Sequence, residues 1–372
     1  MAKLKIIELN YHCHPSGSPA ELLALHHAAS GFVLDMKARA NVVLVKHRFA
    51  ACQLVHEGVP CHFFVRRNRF WQIPWATHRF IKKEKPDVVI VQGFVFPLQV
   101  MALRRLLGKK PLIIAMHHGE RPWKGIKGWA QRMADQCMTT YTFTDNGNAT
   151  PWLRSKIIKH ANKCVEILGA APTLQPQDRT SSLQLTGMDG RPNFLWVGRL
   201  QPVKDPVTVV TAFAQYLVHQ PRAKLYMVFQ DDALLGTIQA LLQQDDRLRQ
   251  AVHLVGKLDN HTLAHWFSAA DYYVSGSHRE GSGFALLEAM YCGCIPIVTD
   301  IPSFKKITDG GRLGFFYPPG EVDALLQVLL HLKPNDAPEL RAEILTYAQE
   351  HFTHAAIAGE MMRVVEELIV DN

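Results

Sequence analysis

Short apolar runs and helical repeats alternate along the whole chain. In the first half, the runs Leu4–Leu9, Asn41–Val45, Cys61–Val65, Asp87–Val91, Leu112–Met116 and Thr140–Thr144 predict strands. Between them the spacing predicts helices over Pro19–Ala29, Trp75–Glu84, Pro97–Leu107 and Gly128–Cys137. The second half repeats the scheme. Its predicted strands are Phe194–Val197, Lys224–Phe229, Val252–Val255, Tyr272–Ser275 and Ile295–Val298. Its predicted helices are Val207–Val218, Leu234–Leu242, Thr262–Ala269, Phe284–Cys292 and Val322–Leu332. This alternation implies βαβ units around parallel sheets, an α/β fold.

Between Ala170 and Pro192 the chain is polar, rich in Pro, Ser, Thr and Gly, and without a clear period, so the domain boundary is expected there. The expected domains are residues 1–172 and 173–353. Two helices finish the chain, over Pro338–His351 and His354–Ile369, and the second carries an apolar face at helical spacing.

A chain of 372 residues is too long for one ordinary core, which supports two domains. With 48% hydrophobic and 20% charged residues, it has the composition of a soluble globular protein. No apolar run reaches the length of a membrane-spanning helix, and the apolar stretch in MAKLKIIELNYH is too short for a signal peptide. The seven cysteines form no C-x-x-C pair and read as reduced cytosolic thiols, so a cytoplasmic location is expected. Cys292 and Cys294 lack a second ligand pair and sit among apolar neighbours, so no metal site is expected there.

Charge changes the picture more. Residues 1–175 hold 25 Lys and Arg against 10 Asp and Glu, a net of +15; residues 176–372 hold 16 against 23, a net of −7. The first half is therefore expected to meet something anionic: a membrane surface, a phosphorylated acceptor or nucleic acid. A solvated basic face without a partner is the plainer reading. No recognised nucleic-acid module is visible, so nucleic acid is not expected.

Chemistry in open α/β sheets gathers at the carboxyl ends of strands. Five such loops stand out. Asn10–Ser18, with Gly17, follows the first strand and could cradle a phosphate or simply connect. His117-His118-Gly119-Glu120 ends another strand. Side chains alternate in extended backbone, so one histidine should face the crevice and the other away. Gly198-Arg199, followed by Lys204, sets two cations at a strand-to-helix turn, suited to phosphate oxygens or to solvent. Gly256-Lys257-Leu258 leaves room for a flat group after a strand.

The fifth loop is the stretch SGSHREGSGFALLEAMYCGCIPIVTD from Ser275 to Asp300. Its turn Gly281-Ser282-Gly283 opens into a helix through Phe284, Ala285 and Leu286, whose first N–H groups suit a phosphate. Glu280 sits before the helix and Glu288 inside an apolar run, where a carboxylate needs donors. Sugar hydroxyls would serve. A plain amphipathic helix whose single Glu reaches solvent fits the spacing equally well.

VGRL-x3-K, then VGKL, then EGSGFALLEAMYCGCIPIV, in this order, resembles the retaining GT-B glycosyltransferases of family 4, the glycosyl transferases group 1. The resemblance is strong from Asn193 to Leu332. It implies two Rossmann-like, doubly wound domains facing across a cleft, with the last helix, within 354–372, packing back on the first domain. The first domain would bind the acceptor and the second a UDP- or GDP-linked sugar. Residue by residue, Arg199 and Lys204 match the cations on the donor diphosphate, and the N–H groups near Gly283, Phe284, Ala285 and Leu286 match the loop on the same phosphates. Glu288 matches the carboxylate on the ribose, Glu280 the one on the sugar, and Gly256 to Leu258 the segment beside the base. His118 matches the histidine reaching the sugar, with His117 as second choice.

The first loop departs from the family's Gly-Gly with Ser16-Gly17-Ser18, and E-G-S-G-F moves the aromatic by two positions from E-G-F-G. The resemblance implies sugar transfer with retention, no cofactor and no divalent metal, onto a glycan or glycolipid acceptor. Together with the basic half, it suggests assembly of a bacterial envelope polysaccharide or lipopolysaccharide, with peripheral contact at the inner membrane face. An inactive homologue serving as a scaffold and a nucleotide-sugar epimerase of the same fold are the alternatives. A dinucleotide oxidoreductase is disfavoured, because no G-x-G-x-x-G follows a strand.

Overall fold

The computed structural model describes residues 3–14, 17–67, 69–333 and 337–370. They form two compact units, Met1–Ala171 with Thr353–Asn372, and Pro172–Phe352.

The strands of the first unit are β1 (Leu4–His14), β2 (Ala40–Arg48), β3 (Cys52–His56), β4 (Val59–Val65), β5 (Val88–Gln92), β6 (Leu112–Met116), β7 (Thr140–Phe143) and β8 (Cys164–Glu166). They lie in the order β3-β4-β2-β1-β5-β6-β7-β8, parallel throughout except for β3 against β4. The second unit holds β9 (Asn193–Gly198), β10 (Lys224–Phe229), β11 (Val252–Gly256), β12 (Tyr272–Ser275), β13 (Ile295–Thr299) and β14 (Phe315–Tyr317). Their order is β11-β10-β9-β12-β13-β14, all parallel.

Counted along the chain, β4-β2-β1-β5-β6-β7 and the whole second sheet both read 3-2-1-4-5-6, the Rossmann order. The expected fold class, two doubly wound Rossmann-like halves, is what the structure shows. The order reverses between β1 and β5 and between β9 and β12. Loops leaving such neighbours part in opposite directions and open a crevice at the strand ends.

The central strands VVIVQ, LIIAM and IPIVT are buried at every position, as a sheet covered on both faces requires. Three strands escaped the sequence pattern. β3 pairs with β4 through a tight turn at Glu57 and Gly58, both at positive φ (47° and 80°), the geometry that matches strand twist in a two-residue hairpin. β8 and β14 have only three residues each, too few to show a period.

A helix, Arg179–Thr186, also forms inside the stretch read as a linker. Its ends were written in the sequence: Asp178 accepts from the Ser181 N–H at its start, and Gly187 takes the left-handed conformation (φ 67°) at its end.

The last helix, His354–Val370, buries Ile357, Met361, Met362 and Val365 within the first unit. It packs on the short helix Phe32–Asp35, and Arg39 pairs with Glu366.

Candidate functional site

In the second unit the reversal point lies between β9 and β12, and the predicted cations and carboxylates fall around it. β9 ends at Gly198. Arg199 follows, exposed and with no side-chain hydrogen bond or ion pair among the described residues. The chain then makes a single 3-10 turn, Pro202–Lys204, in which the Lys204 N–H donates to Gln201 O at 2.9 Å. Asp205, at φ 42°, caps the helix Pro206–Tyr216 by accepting from the Thr208 N–H and hydroxyl (3.2 and 2.8 Å).

The loop after β12 locks onto this turn. The His278 N–H donates to Val203 O at 2.9 Å, and the His278 ring reaches Asp205 Oδ2 at 2.9 Å. Gly276 has to be glycine, because a Cβ there would stand 2.5 Å from Asp205 O. These contacts set Lys204 against Glu280, and the two form an ion pair. Glu280 also accepts from Ser277 Oγ at 2.8 Å, and Ser303 Oγ donates to its carbonyl at 2.7 Å. Thr299 Oγ1 fixes the Ser277 carbonyl at 2.5 Å and Tyr317 the Ser275 carbonyl at 2.9 Å. Glu280 is thus held by its surroundings while staying partly open to solvent.

Gly283 opens the helix Phe284–Tyr291 at φ 61°, and a Cβ there would meet Ile307 Cδ1 at 2.6 Å. The Phe284 and Ala285 N–H groups have no partner within the helix. Leu286 departs from expectation. Its N–H already donates to Gly283 O at 2.9 Å and its side chain is fully buried, so it has nothing left for a phosphate.

Glu288 is 4% exposed. Burial pushes its carboxyl up to about 8, and a hydrogen bond with Thr173 offsets this in part. The solvent-reaching Glu of a plain amphipathic helix is therefore ruled out. Tyr273 is buried, and that burial pushes its hydroxyl well up; the charges of Glu280 and Glu288 push it the same way. At the edge of the sheet, Gly256 stands at φ 81° with open space where a Cβ would be, Lys257 is exposed, and Leu258 is half-buried.

In the first unit the same crevice position holds a different set. His118 is half-buried. Its Nε2 lies 2.6 Å from Gln92 Oε1, an acceptor, so Nε2 carries the proton and Nδ1 keeps its lone pair. Burial lowers its pKa, Glu120 works against that, and His117 and His12 add to it. At neutral pH this favours the uncharged imidazole. Glu120 ties the loops after β5 and β6 together, accepting from the Phe94 N–H at 3.3 Å and the His118 N–H at 2.7 Å. Gly93 (φ 84°) allows this, since a Cβ there would lie 2.5 Å from Glu120 Oε1.

His117, the second choice for the sugar contact, is corrected. It is 5% exposed and packs against Phe94, Phe143 and Trp152, facing the core. Gly17 precedes the helix Pro19–Ser30, but that helix start is occupied. Ser18 Oγ accepts from the Glu21 N–H (3.2 Å), and the Glu21 carboxylate accepts from the Ser18 N–H (2.7 Å). A phosphate there would have to displace a carboxylate. Pro15 and Ser16 of the same loop lie outside the described residues.

Sequence reading missed Gln92, Ser277, Thr173 and Asp205, which position the named residues. All are ordinary polar side chains in loops or at strand ends, with no spacing to mark them.

Among the described residues no group of three or more His, Cys, Asp and Glu side chains is placed to hold a metal ion. No described helix is long and apolar enough to cross a membrane.

Two Rossmann-like units in sequence, the second with a cation–carboxylate pair at its reversal point, define a fold of the GT-B glycosyltransferase kind. Anabaena HepE, solved in complex with UDP and glucose, superposes with a TM-score of 0.70 at 15% identity, over 98% of this chain and all of that one. Residues 180–351 match the model of the glycosyl transferases group 1. Among curated relatives, D-inositol 3-phosphate glycosyltransferase 2 of Catenulispora acidiphila is 25% identical over 244 residues, 56% of this chain and 55% of that protein. The GDP-mannose:cellobiosyl-diphosphopolyprenol alpha-mannosyltransferase of Xanthomonas oryzae pv. oryzae is 21% identical over 363 residues, 94% of this chain and 93% of that protein. The chain spans about half the length of the first curated relatives it matches.

Proposed function

We propose that this protein is a retaining, metal-independent glycosyltransferase that moves a sugar from a nucleoside-diphosphate sugar to a hydroxyl of a glycan or glycolipid. The observation that carries the reading is the Lys204–Glu280 pair, set at the β9–β12 reversal point beside the exposed Arg199 and the Gly283 helix start. The relatives support it: the Anabaena protein was solved with UDP and glucose, and the Xanthomonas protein is named for GDP-mannose and a diphosphopolyprenol-linked acceptor.

Loss of a diphosphate from a forming oxocarbenium ion builds negative charge on the departing oxygens. Arg199 and Lys204 would meet that charge, with the N–H groups of Phe284 and Ala285. Glu280, turning from Lys204 to sugar hydroxyls, would orient the ring. Glu288 would accept from ribose hydroxyls. The acceptor proton passes to the leaving phosphate on the same face, and no covalent nucleophile is invoked. His118, from the first unit, would contact the sugar. The acceptor side fits envelope polysaccharide or lipopolysaccharide assembly in the cytoplasm.

A thermal-shift panel with UDP, GDP, ADP, CMP and NAD, each with and without EDTA, tests this. A ligand that binds the native state raises its apparent stability. A shift with one nucleoside diphosphate, unchanged by EDTA and lost in Arg199→Ala, is expected. A shift with NAD alone would move the protein to redox chemistry, and no shift at all would favour a scaffold role.

A further inference from the structure

The helix Gly125–Ala134 in the first unit is built inside out. Its buried positions are Gly128, Ala130, Gln131 and Ala134. Its large apolar side chains point outward: Ile126 is 85% exposed, Trp129 59% and Met133 39%. At i, i+3 and i+7 they share one face of the helix. A lone exposed apolar residue is unremarkable, but a whole stripe with the small residues turned inward is not.

The stripe has an aromatic and basic border. Lys127 Nζ lies over the rings of Phe70 (5.7 Å) and Trp123 (5.8 Å), which themselves meet at 5.6 Å. Trp71, next to Phe70, is 69% exposed. Residues 121–134 contain four Lys and Arg and no Asp or Glu, and residues 67–83 contain five and none.

This face is also fixed in place. The Trp123 N–H donates to Gln131 Oε1 (2.9 Å), Gln131 Nε2 donates to Phe94 O (2.9 Å), and the Phe94 N–H donates to Glu120, the residue that holds His118. Gly128 has to be glycine, since a Cβ would stand 2.2 Å from Trp123 O. The exposed stripe and the crevice at the end of β6 are therefore one rigid assembly.

We propose that this face docks on an anionic lipid bilayer, with Ile126, Trp129 and Met133 entering the interfacial layer. Lys124 and Lys127 would lie at headgroup level. Exposed indoles, an apolar stripe and unopposed lysines on one helix are the chemistry of interfacial anchoring. A protein partner would be expected to find acidic groups somewhere in the border, and these two segments supply none. The inference does not depend on the donor reading, because it concerns binding alone.

The test is co-sedimentation of the full chain with vesicles of phosphatidylcholine, with and without phosphatidylglycerol. Binding to the anionic vesicles, weakened by salt, is expected. Ile126→Glu with Trp129→Glu should reduce it at least about tenfold. Lys124→Glu with Lys127→Glu should abolish the preference for phosphatidylglycerol. Both sets change exposed side chains, so unaltered circular dichroism is the check on folding. Absence of binding by the unsubstituted chain, or equal binding by the Ile126/Trp129 variant, overturns the proposal. So does a self-association that this variant breaks while vesicles stay unbound.

Discussion

At the ends of β9 and β12 the second unit places a lysine against a glutamate, with a free arginine on the same turn. At the ends of β5 and β6 the first unit places a neutral histidine against an amide, with a glutamate used up on backbone N–H groups. The strand order is the same, so the sheet decides only where side chains gather. What gathers is set by loops a few residues long. In the second unit the charges remain available, because Lys204 and Glu280 hold each other near solvent. In the first they are spent on fixing loop shape. One crevice is equipped to stabilise charge, the other to shape and position.

The widest separation between the two is expected from Arg199→Ala with Lys204→Ala. On the proposed reading, sugar transfer should fall by about a thousandfold or more, since both groups would address the leaving charge. The nucleoside diphosphate should then no longer shift the melting curve. Near-normal turnover would sink the assignment of the diphosphate site.

Glu288→Gln comes next, read as stability against pH. The Glu288 carboxyl is raised from its ordinary 4.5 to about 8 in the folded chain. The protonated, folded form is therefore favoured at low pH, and that advantage, full below about 4.5, is lost progressively as pH climbs from there through about 8. Melts above pH 8 should show the glutamine variant more stable by something on the order of 3 kcal/mol, and melts near pH 4 little difference. Donor binding near neutral pH should release a proton, which calorimetry in two buffers of different ionisation enthalpy would detect.

In the first unit, His118→Ala should slow transfer by roughly tenfold to a hundredfold. Nucleotide binding should be unaffected. A lost nucleotide shift would mean that the division of labour is drawn in the wrong place. The smallest effects should come from matched glycines, Gly93→Ala and Gly283→Ala. Each sits at positive φ with a neighbour too close for a Cβ, at a cost of about 1–3 kcal/mol on chemical denaturation.

Most strands of both sheets, and the strand-end loops that carry the charged residues, were readable from the sequence, for a physical reason. Buried parallel strands are written as unbroken apolar runs, and glycines at strand ends mark where backbone turns sharply. What could not be read were the partners. Gln92 meets His118 across 26 residues and Thr299 holds the Ser277 carbonyl across 22, while Ser277, three residues from Glu280, has no spacing to mark it. His117 and His118 are adjacent and chemically alike, and only packing against Phe143 and Trp152 shows which is core. Likewise, the N–H of Leu286 looked available until the helix start closed on it.

The last helix has a consequence for synthesis. Residues 354–370 complete the first unit, yet a ribosome delivers them only after all of Pro172–Phe352. Through that interval the nascent first unit lacks Ile357, Met361 and Val365, and the helix Phe32–Asp35 waits without its cover. The second unit has no such delay, and can finish folding first although it is translated later.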